Sequence, residues 1–191
     1  MTVEYTNRKG KTYYLHKGQT KTGKAKYHFS MKAENATKES VPKGFEVYEH
    51  PGNAQVFLRK IPQQLITKEE IRVVEKGLKK YSDGAQYKID VRKDSIQIYT
   101  PDQNIDAISA IISKHTKITP TQDKFLQEVI TYSPNMQFIL LDKDERIFIA
   151  KRFCYQGSID DWIGIGTSGT LNELVDQFIE HLNMDSFFDL L

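Results

Sequence analysis

The pattern of apolar and polar positions divides this chain into two stretches of different texture. Residues 3 to 31 alternate β-forming and polar side chains around two turns rich in Gly and Lys, which predicts a meander of three short strands. The first strand is expected at about Val3 to Asn7, followed by the turn Arg8-Lys9-Gly10-Lys11, and the second at about Thr12 to His16. A turn carrying Gly18 and Gly23 leads to the third, which includes Tyr27, Phe29 and Met31. A period of two puts Tyr13 and Leu15 with Tyr27, Phe29 and Met31 on a packed face, and Thr12, Tyr14, His16, Lys26, His28 and Ser30 on the opposite, solvated one. Lys32 to Gly44 is polar, contains Pro42 and reads as a connection. A second hairpin follows, Phe45 to Glu49 and Gln55 to Arg59, flanking the turn His50-Pro51-Gly52-Asn53. Five short strands in about 60 residues predict a small barrel or rolled sheet.

Beyond residue 62 the period changes. Thr67 with Glu70 forms a capping box, and Ile71, Val74, Leu78 and Tyr81 follow at helical spacing. Tyr87, Ile89 and Val91 alternate against Ile96 and Ile98 across the turn Lys93-Asp94 and predict a hairpin. Residues 104–114 and about 121–132 carry helical patterns, the second ending before Pro134. The most apolar hairpin, Met136 to Leu141 and Ile147 to Ala150, is expected at the centre of the sheet. A loop is expected from Cys154 to Gly169, then a final helix capped by Thr170 and Glu173 with Leu171, Leu174, Phe178 and Leu182 as its apolar stripe. The fold class expected is α+β. A small antiparallel β module of about five short strands, residues 1–62, precedes an α+β domain, residues 63–191, with two hairpins in an antiparallel sheet and about four packing helices.

Charge sharpens this division. Residues 1–60 hold twelve Lys and Arg against five Asp and Glu, a net +7, while the remainder holds fifteen against twenty, a net −5. Between Glu4 and Glu34 there is no acid, and Arg8, Lys9, Lys11, Lys17, Lys21, Lys24, Lys26 and Lys32 are all basic. Composition otherwise narrows the options. With 39% hydrophobic and 27% charged residues the chain is expected to fold as a globular protein. Its single cysteine, Cys154, can supply neither an internal disulfide nor the cysteine pairs of a zinc finger. No stretch approaches the roughly 20 apolar residues of a membrane span, and the first residues lack the apolar run of a signal peptide, so a cytoplasmic location away from membranes is expected.

Three features carry candidate chemistry. The first is the basic, aromatic N-terminal face. Lys and Arg neutralise phosphates while Tyr and His present planar surfaces to unstacked bases, so Arg8, Lys11, Tyr14, His16, Lys24, Lys26 and His28 are the expected contacts to DNA or RNA. The bland alternative is a solvated lysine-rich surface. The second is a G-x-G-x-x-G string at Gly164, Gly166 and Gly169. A dinucleotide site needs a parallel strand and a distant acid after the helix, and the residues after that helix supply neither, so a glycine loop feeding a helix cap is expected. The third is the segment Phe153 to Trp162, where Arg152, Cys154, Asp160 and Asp161 make an alternative small-ligand or enzyme site. Adjacent residues on an extended chain point opposite ways, so the two aspartates are not expected to converge on a metal. No catalytic motif, metal or cofactor site is therefore assigned. A binding role is preferred over catalysis, and the last helix with its Phe187-Phe188-Asp189-Leu190-Leu191 tail offers a surface that either docks on its own domain or engages a protein partner.

Overall fold

The computed structural model describes residues 2–81, 87–105, 107–110, 128–156, 159–182 and 184–190. It is an α+β protein with antiparallel sheets, and the chain divides into two compact units: Met1–Ile61 with Gln103–Thr131, and Pro62–Asp102 with Tyr132–Leu191. No helix among the described residues is long and apolar enough to cross a membrane.

In the first unit, alternating β-formers produce β1 (Glu4–Thr6), β2 (Thr12–Gln19) and β3 (Ala25–Ser30), paired in that order, and a separate hairpin of β4 (Phe45–Glu49) and β5 (Val56–Lys60). Among the described residues these are two sheets rather than the one small barrel or rolled sheet expected. Leu15 is fully buried, and its backbone carbonyl accepts from Thr37 N, which laces the polar connection onto β2. Two side chains tie the first turn of the meander to the turn of the hairpin. Asn7, 5% exposed, accepts from the amides of Lys9 and Lys11 at 3.1 and 2.9 Å and donates to the carbonyl of Ala54 at 2.6 Å. Arg8 pairs with Glu49 at 2.8 Å and donates to the carbonyls of His50, Pro51 and Gly52. These bonds satisfy turn carbonyls that would otherwise cost free energy on burial.

The second unit is a five-stranded antiparallel meander, in the order β10 (Ile159–Thr170), β9 (Ile147–Gln156), β8 (Tyr132–Asp142), β7 (Ser95–Pro101), β6 (Lys88–Val91). The apolar strand β8 is central, as its sequence predicts. One sheet face carries Ile96, Ile98, Met136, Phe138, Phe148, Ala150 and Ile165, all fully buried. Against it pack α1 (Lys68–Tyr81) and α2 (Leu171–Phe178) through Val74, Leu78, Leu174, Val175 and Phe178. Both expected capping boxes form. Glu70 N donates to Thr67 Oγ1 while Thr67 N donates to Glu70 Oε2, and Thr170 and Glu173 exchange the same pair of bonds. Glu70 is also clamped by Arg146 at 2.5 Å, so the cap of α1 is held by the β8–β9 turn.

Three expectations are corrected here. The segment read as a loop from Cys154 to Gly169 lies largely in strands β9 and β10, because pairing with β9 outweighs the low strand propensity of its Gly and Asp residues. Pro134 does not end a helix but lies in β8 opposite Tyr99, at a register shift where Asn135 is the extra residue. The β8–β9 ladder begins at Met136, so Pro134 removes no hydrogen bond from it. The helices expected over 104–114 and 121–132 fall mostly outside the described residues. Within them, residues 105, 107–110 and 128–129 are helical and Asn104 caps Ala107 N at 2.9 Å, whereas Tyr132 opens β8.

Candidate nucleic-acid interface

The cross-strand register settles which side chains share a face of the N-terminal sheet. Tyr14 stands opposite Ser30, His16 opposite His28 and Gly18 opposite Lys26, so Tyr14, His16, Lys26, His28 and Ser30 lie on one face. The rings of His16 and His28 stack at 5.3 Å between centroids and 23° between planes, and His16 Nε2 is 2.9 Å from the carbonyl of Lys32. Glu4, opposite Tyr14, brings one acid to the β1 side, and Thr6 and Thr12 share a hydrogen bond at 3.0 Å. The face ends at two lysine-bearing turns. At one, Lys9 and Lys11 flank Gly10, whose φ is 71°. At the other, Lys21 and Lys24 project from a turn closed by Thr20 N to Lys24 O at 2.8 Å and Gly23 N to Thr20 O at 2.9 Å. Eight residues of β2 separate these turns, about 25 Å of strand.

Not every cation of the basic run is available. Besides Arg8, Lys17 lies on the opposite face, where Glu39 takes its ammonium at 2.5 Å and the hydroxyl of Tyr27 at 2.6 Å. Hydrogen bonds from Lys17 and Tyr27 lower the Glu39 pKa, and the bond to Glu39 raises those of Lys17 and Tyr27. Tyr5 likewise titrates above its usual range, through burial first and the neighbouring Glu49 carboxylate second. Lys9, Lys11, Lys21, Lys24, Lys26 and Lys32 make no ion pair among the described residues, and all but the half-buried Lys9 are exposed.

Of the four residues of the alternative site, Arg152, Cys154 and Asp161 share one face of the β9–β10 ladder, and Asp160 lies on the other. Arg152 is 7% exposed and turned to the C-terminal tail, donating through Nε to Leu190 O at 2.9 Å and through Nη2 to Phe188 O at 3.0 Å. Phe187 enters the core at 3% exposure, so the tail docks on its own unit while Phe188 stays exposed. Cys154 is a buried free thiol opposite Asp161, and Asp160 stands opposite Tyr155, so the aspartates occupy opposite faces of β10. Asp161 accepts from the amide of Trp162 at 2.7 Å and places a charge on an edge strand, a pattern that discourages further strand pairing. Among the described residues no group of His, Cys, Asp and Glu is arranged to hold a metal ion. The glycine string serves packing. Gly166 has φ 63°, and a β-carbon there would meet Phe178 Cζ at 2.5 Å.

One polar arrangement escapes the sequence patterns. Asp90, Gln97, Gln137 and Lys151 fall in register across β6 to β9, on the sheet face away from α1 and α2. The first three are 4–6% exposed. Gln97 donates to Gln137 at 2.9 Å, Tyr99 donates to Gln97 at 3.4 Å, and Arg92 pairs with Asp90 at 3.3 Å. Burial raises the Tyr99 pKa, with the Asp90 charge adding to it. Its sequence signal is a glutamine at an alternating position inside each of two isoleucine- or phenylalanine-bearing strands. Comparison of the chain with family models, with curated proteins and with solved structures returns no match.

Proposed function

We propose that this protein binds nucleic acid through the β2–β3 face of its N-terminal module. Tyr14, His16 and His28 supply planar surfaces, and Lys11, Lys24 and Lys26 neutralise phosphates. The observation that carries the reading is the placement of the stacked histidine pair between two lysine turns on one continuous face. Arg8 is left out of the contact set, because its guanidinium is committed to Glu49 and three turn carbonyls.

Counterion release makes the proposal quantitative. If four of the lysines touch phosphates, log affinity falls against log salt with a slope of roughly −3 to −4. The test is fluorescence anisotropy of the full chain with labelled single- and double-stranded DNA and RNA across about 50 to 200 mM salt. Replacing Lys11, Lys24 and Lys26 with Ala is expected to flatten the slope by about 2 to 3 and weaken every sequence alike. A salt-independent affinity, or no binding at low salt, refutes the proposal.

A further inference from the structure

Beside the basic face lies a shallow, open cleft of about 490 Å³. It opens along β3, the edge strand of the three-stranded sheet, with the β4–β5 turn as its other wall. Tyr13, Phe29 and Met31 contribute its apolar part, Asn53 and Gln55 line the turn side, and His28 belongs to both the cleft and the stacked pair on the solvated face. Tyr13 and Phe29 are half-buried and Met31 is 59% exposed, so apolar surface stays in contact with water here.

We infer that this cleft is a receptacle for one unstacked base of a single-stranded nucleic acid, an assignment that rests on the binding role proposed above. Four features point to that occupant. First, the volume lies at the smaller end of small-molecule sites, about 300 to 1,000 Å³, which suits one planar heterocycle with part of its sugar. Second, the lining combines aromatic and thioether surface, on which a base of any identity can stack, with two carboxamides that match the mixed donor and acceptor edge of a base. Asn53 Oδ1 is taken by Gln55 N at 2.9 Å, which leaves the Asn53 amino group as donor, while the Gln55 side chain is exposed. Third, no Asp, Glu, Lys or Arg among the described residues lines the cleft, so it suits a neutral polar ring, whereas phosphates belong with the lysines around it. Fourth, the turn wall is held in place by Arg8 on three carbonyls and by Asn7 on Ala54 O. A preformed wall reduces the ordering cost of binding. A base inside a duplex cannot reach such a cleft without leaving its stack, so the site selects single strands.

The test uses the full chain and two labelled single strands of equal length and phosphate charge, one with ordinary bases and one abasic throughout. Both are expected to bind with the same salt slope, and the base-bearing strand more tightly by at least the roughly 5- to 150-fold of one stacked base, to which Tyr14, His16 and His28 add. Phe29→Leu and Gln55→Ala should narrow that ratio without changing the affinity of the abasic strand. Gln55 is exposed and its side chain anchors no turn, so its variant keeps the test open where Phe29→Leu fails to fold. Equal affinity for the two strands, or a ratio that neither variant narrows, overturns the cleft assignment and leaves the phosphate-binding role standing. Failure of both strands to bind overturns both.

Discussion

Gly77 lies inside α1, where helix propensity alone favours Ala over Gly by about 1 kcal/mol, so Gly77→Ala would stabilise an isolated helix. The packing reverses that sign. A β-carbon at this position would lie 2.4 Å from Val175 Cγ1 and 3.2 Å from Ile179 Cδ1. Val175 and Ile179 are 3% and 2% exposed and belong to the core, so neither has free space to enter. Overpacking of this kind costs about 1–3 kcal/mol, and after the propensity gain a net loss of up to roughly 2 kcal/mol is expected. Trp162, the only tryptophan, packs edge-on against Phe153 at 5.3 Å in the same unit and reports its unfolding. In urea titrations followed by its fluorescence, the midpoint should fall by up to about 1 M at an m-value near 2 kcal/mol/M. Val175→Ala removes the atom that the new methyl meets. In that background Gly77→Ala should be neutral or stabilising by up to about 1 kcal/mol, giving a coupling energy between the two sites. A raised midpoint for Gly77→Ala alone, or an equal loss in both backgrounds, refutes the reasoning.

Two further predictions concern the same unit. Arg152→Met keeps the apolar stem but leaves the carbonyls of Phe188 and Leu190 without their donor, with an expected loss of about 2–3 kcal/mol and faster amide exchange over residues 185–189. Unchanged exchange there would show that Phe187 holds the tail unaided. Glu173 titrates below its usual 4.5, held there by bonds from the Thr170 hydroxyl first and the Thr170 amide second. A carboxylate lowered in the folded state contributes stability above its unfolded value, and loses it as pH falls through the lowered one. The chain should therefore exceed Glu173→Gln in stability at neutral pH, with the gap closing below about pH 4. A gap in thermal midpoint that stays constant from pH 7 to about 3 contradicts this.

Much of the local structure is legible in the residues because its causes are close together along the chain. Tyr13 and Leu15 inward, Tyr14 and His16 outward, follow from the pleat of a single strand. Thr67 with Glu70 and Thr170 with Glu173 mark helix starts because the cap bonds span three residues. Strand β10 is not legible in this way. Its Gly and Asp residues read as a loop, and only the ladder with β9 makes it a strand. The candidate interface divides similarly. Alternation places Tyr14, His16, Lys26 and His28 on one face, but nothing near Arg8 or Lys17 in sequence announces that Glu49 and Glu39 have taken them.

The sequence by itself determined the periodicities, the caps, the basic N-terminal run and the apolar strand at the centre of the sheet, all of which rest on interactions within a few residues. Tertiary structure alone decided how the polar groups are spent. It committed Arg8 to a turn more than 40 residues away, bonded Arg152 to the carbonyls of the C-terminal tail, and opened a cleft between β3 and the turn at Asn53 and Gln55. A side chain's partners are chosen by which backbone segments meet across the fold, and the strength of a buried ion pair or carbonyl contact depends on that meeting rather than on chain neighbours.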